Sequence, residues 1–150
     1  KMAQNGAEKE EILSWLQKRI DSAKSYLMPN DFDFLRRGGR LSPLVSYVGK
    51  TIKLAPVMTQ SDDGCKLTAA GIKRSFKQAI QFVAESLVRK GVGKGWKVYI
   101  THADAPELAE QAVEIVKKSI PDASYEVLLL SPAFITQGGP NCVAVQVVEE

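Results

Sequence analysis

Soft metal ligands are scarce in this chain of 150 residues, which has one histidine, His102, and two cysteines, Cys65 and Cys142, with no Cys-x-x-Cys pair. That set is too small for a zinc cluster, so no metal and no cofactor is expected, and both cysteines read as buried thiols of a reducing cytoplasm. Charge of one sign is also lacking. Lys and Arg exceed Asp and Glu by only three, and no stretch combines a densely basic helix with an aromatic stacking platform, which argues against a nucleic-acid-binding module. No apolar run approaches the ~20 residues of a membrane helix, and no basic region followed by an apolar core marks an export signal. The glycine run Gly91-Val92-Gly93-Lys94-Gly95 follows a helical pattern and precedes a strand, the reverse of the order in a phosphate loop.

What the chain does have is concentrated in a few stretches. Residues 36–43 read Arg-Arg-Gly-Gly-Arg-Leu-Ser-Pro, three guanidiniums around a glycine pair that permits a sharp turn. Arginine forks suit carboxylates and phosphates. The same residues also suit a plain turn between two helices, with Ser42 and Pro43 opening the second.

Apolar residues at three-to-four-residue spacing predict helices at about residues 7–23, 43–53, 73–90 and 105–119. The first carries Ile12, Leu13, Trp15, Leu16 and Ile20, with Glu8, Glu10 and Glu11 in its opening turn. Short β-rich stretches are expected at residues 25–28, 54–60, 65–70, 96–101, 125–130 and 143–148, the second and third forming a hairpin across Ser61-Asp62-Asp63-Gly64. Asp31 is placed to cap a short helix over residues 32–37, and Asp104 or Thr101 to cap the helix that opens near Pro106. The pattern predicts an α+β fold, a two-layer sandwich in which a mixed, mainly antiparallel sheet of four to six strands has helices packed on one face.

Two sites for chemistry follow. Thr101-His102-Ala103-Asp104 lies where a strand passes into a helix, so His102 and Asp104 are an acid/base candidate; the competing role is a histidine that donates to a local carboxylate or carbonyl in a cap. Residues 131–141, Ser-Pro-Ala-Phe-Ile-Thr-Gln-Gly-Gly-Pro-Asn, read as a glycine-rich connection in which Phe134, Ile135, Thr136 and Gln137 could build a small pocket with one polar end.

Taken in order, Arg-Gly-Gly-Arg-Leu-Ser, the hairpin, Lys-Arg-Ser-Phe-Lys-Gln-Ala, Ile-Thr-His-Ala-Asp and Ile-Thr-Gln-Gly-Gly-Pro resemble the C-terminal half of DegV-family proteins over essentially the whole chain. The resemblance implies a bacterial, cytoplasmic, non-enzymatic carrier of two domains that encloses one long-chain fatty acid, some members presenting its carboxylate to a separate fatty acid kinase. It implies that residues 1–150 are the C-terminal lipid-binding domain, that the N-terminal α/β domain precedes Lys1, and that contact with a membrane surface is transient. Arg40 matches the arginine of the family's Gly-Gly-Arg motif. Arg74 matches the first of two arginines at the start of a helix, the second being Phe76 here. The resemblance assigns both to the anionic end of the ligand or to the kinase contact. It assigns Phe134, Ile135, Thr136 and Gln137, with Arg40, to the fatty acid. The family's closing motif, Gly-x-His-x-Gly-Pro-Gly, is altered: Gln137 stands at the histidine and Asn141 at the last glycine. Glutamine offers a neutral donor but no titrating proton. The alternative from another class is an enzyme acting on a phosphate- or carboxylate-bearing substrate, held by Arg40 and Arg74, with His102 and Asp104 as acid and base.

Overall fold

The computed structural model describes residues 2–31, 34, 37, 54–61, 64 and 67–150, apart from the side chain of Gln137. The expected helix at 43–53, the basic turn with Arg40, and Cys65 lie outside the described residues.

After a single 3-10 turn (Ala3–Asn5) come α1 (Lys9–Ser22), β1 (Lys24–Met28), β2 (Ala55–Gln60), β3 (Leu67–Lys73), α2 (Phe76–Arg89), β4 (Trp96–His102), α3 (Pro106–Ser119), β5 (Ser124–Leu129), α4 (Pro132–Gly138) and β6 (Val143–Glu149). The six strands form one sheet in the order β3-β2-β1-β6-β4-β5. Only β4 and β5 pair in parallel, across the α3 connection; every other neighbouring pair is antiparallel. The fold is thus α+β with a mixed, mainly antiparallel sheet.

The core lies between one face of this sheet and the paired helices α2 and α3. Side chains alternate across a strand, and Tyr26, Met28, Val57, Val98, Ile100, Val143, Val145 and Val147 point inward against Ile80, Val83, Leu87, Ala109, Ala112 and Val116. Each fully buried aliphatic side chain contributes ~1.5–3 kcal/mol. α2 begins at Ser75, whose Oγ accepts from the Gln78 N–H at 3.3 Å while the Gln78 side-chain oxygen accepts from the Arg74 N–H at 3.2 Å. The helix starts three residues later than its apolar pattern suggests because Lys73 still pairs with Ala55 in the hairpin. It ends at Arg89 and is closed by Gly91, whose φ of +81° lets the Val92 N–H bond back to the Leu87 carbonyl at 3.1 Å.

The strand register determines where the connections emerge. Met28 pairs with Val143, His102 with both Val143 and Leu129, and Ala55 with Lys73. The C-terminal ends of β1, β3, β4 and β5 and the N-terminal ends of β2 and β6 therefore share one end of the sheet.

Candidate functional site

That end of the sheet gathers the described informative stretches of the sequence. The segment holding the basic turn leaves after Met28 and returns before Ala55, Arg74 follows β3, Thr101 to Asp104 close β4, and residues 130–142 link β5 to β6. Three described stretches far apart in sequence are brought to one rim by topology, and the segment with the basic turn leaves and rejoins the sheet there.

The β5–β6 connection is more ordered than a glycine-rich loop. Ser131 and Pro132 open α4, a seven-residue helix, and the chain leaves it at Gly139 with φ +80°. The expectation of an irregular loop is corrected here: Pro132 at the first helical position has its φ already set for a helix. Beyond the helix, the Asn141 N–H donates to the Ala103 carbonyl at 2.8 Å and the Ala103 N–H to the Cys142 carbonyl at 3.0 Å. Asn141 sits at φ +57°, a left-handed conformation that asparagine tolerates better than most residues, which explains how it stands where the family pattern has glycine.

Gly138 and Gly139 are sites of close approach. A Cβ on Gly138 would stand 2.8 Å from Cys142 Sγ and 3.4 Å from Leu27 Cδ1; one on Gly139 would stand 3.0 Å from the ring of Phe34. Phe34, whose N–H donates to Asp31 Oδ1 at 2.9 Å, therefore brings the chain just before the basic turn against the closing loop. Asp31 is the cap that the sequence indicates. Beneath α4, Ala103, Leu130, Cys142 and Ala144 form a small buried cluster against which Leu27 and Ile135 pack. Burial pushes the Cys142 thiol up to about 11.

The site candidates fall out as follows. Ile135 turns toward the apolar cluster, Phe134 is exposed, and the Thr136 hydroxyl donates within its own helix to the Ala133 carbonyl at 2.8 Å. Gln137 lies in α4 by its backbone. Arg74 is exposed beside β3. Among the described residues, no group of three or more His, Cys, Asp or Glu is arranged to hold a metal.

His102 is nearly buried, and its Nδ1 accepts from the Ala105 N–H at 3.1 Å. Accepting at Nδ1 assigns the proton of the neutral ring to Nε2. α3 has Ala105 at its N-cap position and no side-chain cap, which corrects the expected Asp104 or Thr101 cap, and the histidine accepts from the N-cap residue where a donor was expected. Asp104, at φ +53°, is the turn residue that makes this possible.

The model of the DegV family, described as an uncharacterised protein, matches residues 1–150. The chain belongs to the DegV family. A DegV domain-containing protein of Lactococcus lactis is 28% identical over 144 residues, covering 95% of this chain and 50% of that protein. The chain spans about half the length of the curated relatives that it matches. A DegV lipid binding protein from Thermotoga maritima shares 25% identity with a TM-score of 0.82, over 99% of this chain and 51% of that one. The fatty acid kinase (Fak) B3 protein of Streptococcus pneumoniae, loaded with linoleic acid, has the same fold at 19% identity and a TM-score of 0.84, over 99% of this chain and 52% of that one.

Proposed function

We propose that this chain is the C-terminal half of a cytoplasmic, two-domain DegV carrier that encloses one long-chain fatty acid and offers its carboxylate to a fatty acid kinase. The observation that carries the reading is the convergence on one sheet end of Arg74, of the end of β4, and of α4 with Ile135 and Thr136, above an apolar cluster, at the same end where the segment that includes Arg40 leaves β1 and enters β2. An acyl carboxylate needs donors at one end and apolar surface behind them. The Thermotoga and Streptococcus relatives bind a lipid and linoleic acid in the same fold, which supports that ligand class. In this reading the N-terminal α/β domain closes the site, Gln137 and Arg40 meet the carboxylate with Thr136 beside them, Phe134 and Ile135 border the acyl chain, and Arg74 with Arg40 faces the kinase.

The carrier itself does no bond chemistry. The enzyme alternative needs a free base, and His102 Nδ1 is engaged by the Ala105 N–H. Native mass spectrometry of the full-length protein from cells tests the carrier reading: a bound acyl chain is expected, and a protein that arrives free of lipid and takes up no oleate refutes it. A hydrogen bond to a charged acceptor contributes ~1.5–3 kcal/mol, so Gln137→Ala should weaken oleate binding about tenfold or more, whereas Gln137→His should retain it and bind more tightly toward mildly acidic pH. Unchanged binding by Gln137→Ala would make α4 a connector only.

A further inference from the structure

The sheet face turned away from α2 and α3 carries a row of side chains just inside the functional end. Directly paired residues share a face, and the register aligns Leu128, Thr101, Ala144, Leu27 and Met58 on β5, β4, β6, β1 and β2. Thr101, Ala144 and Met58 are 6%, 6% and 0% exposed. The next row inward is polar, with Glu126, Tyr99, Gln146 and Ser25 aligned in the same way. Groups there have partners: Glu126 pairs with Lys97 at 3.0 Å, and Gln146 Nε2 donates to Ser25 Oγ at 3.3 Å.

Thr101 is different. Its hydroxyl is buried and has no hydrogen-bond partner among the described residues; the only other such side-chain atom is Arg19 Nε, on α1. A buried hydroxyl left unpaired destabilises a fold, and a valine of nearly the same shape would relieve it. Thr101 is also the single hydrogen-bonding side chain in its row, with Ala144, Leu27 and Met58 extending from it toward β2. One donor followed by apolar side chains matches a ligand with one polar end and one hydrocarbon tail.

We propose that the Thr101 hydroxyl is a carboxylate donor of the lipid site, holding the acid end of an acyl chain whose tail runs across the strands over Ala144, Leu27 and Met58. This rests on the carrier reading above and adds to it a residue and a direction for the chain. Among the described residues α4 packs through Ile135 on the cluster that holds Ala144, and its Gly138 lies close to Cys142 and Leu27, so this helix borders the row outside the core between the sheet and α2 and α3.

The test uses the full-length protein, with oleate and methyl oleate titrated against the parent, Thr101→Val and Thr101→Ser. Expected are a loss of about tenfold or more in oleate affinity for Thr101→Val, ~1.4 kcal/mol, affinity near the parent's for Thr101→Ser, and a clearly smaller loss for methyl oleate, whose uncharged ester carbonyl is the weaker acceptor. The thermal midpoint of ligand-free Thr101→Val should equal or exceed the parent's, which separates lost recognition from misfolding. Oleate bound equally by parent and Thr101→Val overturns this proposal alone and leaves the carrier reading standing. Equal losses for oleate and methyl oleate also overturn it, because the hydroxyl would then shape the floor without meeting the acid. A parent that binds neither ligand overturns both readings.

Discussion

At the scale of single residues, the contact between Gly138 and Cys142 is the tightest point of the candidate site. A methyl on Gly138 meets Sγ at 2.8 Å, and overpacking of this kind costs ~1–3 kcal/mol. Gly138→Ala is therefore expected to lower stability to urea, and Cys142→Ala in the same protein to recover part of the loss; a double-mutant cycle showing no coupling would mean that the loop yields freely. The Cys142 thiol adds a pH signature. Its ordinary value of 9.0 is raised to about 11 by burial, so between about pH 9 and 11 the unfolded chain releases a proton that the folded chain keeps. Stability should fall across that window, by up to ~3 kcal/mol at ~1.4 kcal/mol per unit, and be insensitive to this group below it. Urea unfolding from pH 8 to 11 should show a steeper decline for the parent than for Cys142→Ala. The thiol should also resist alkylation at pH 8, where little thiolate exists.

At the scale of elements, α2 carries much of the core, and its start is set by local side-chain chemistry. Removing an N-cap hydroxyl typically costs ~1 kcal/mol, so Ser75→Ala should lower the thermal midpoint by about 2–4 °C. A midpoint unchanged in differential scanning calorimetry would assign the start of α2 to packing alone. Ser75 and Gln78 have the Ser-x-x-Gln spacing of a capping pair, a signal that the expected start at residue 73 passed over. Helices α1, α2 and α3 and the strands were legible because each repeats its apolar residues at the period of its own geometry. α4 was not: seven residues are too few to display a period, and its C-terminal glycine suggests a turn. α1 was legible as a helix but not in its burial. Leu13, Leu16 and Ile20 are 54%, 43% and 66% exposed, since periodicity reports a face and not what covers it. The left-handed Asp104 behind the His102–Ala105 hydrogen bond has no signal in spacing, and Thr101 was hidden by its plausibility as a cap until strand alternation put it on the opposite face from Val98 and Ile100.

At the scale of the whole molecule, the sheet order decides which cations can share one anion. Arg74 follows β3, and three strand spacings separate β3 from β6, where α4 is anchored, a lateral distance of ~14 Å. Arg74 is exposed at the outer side of the rim, where a docking protein can reach it, while α4 and Thr101 lie inboard. In the proposed carrier, ligand binding and kinase docking at the rim should accordingly separate. In the full-length protein, Arg74→Gln is expected to leave oleate affinity within about twofold of the parent, because a charge at this distance in water contributes little to a carboxylate. Transfer of phosphate to the bound acid by the kinase should weaken, with an effect that diminishes as salt screens the docking charge. Oleate affinity falling tenfold in Arg74→Gln, with kinase transfer at saturating oleate unchanged, would mean that the arginine reaches the ligand and that the rim is one site.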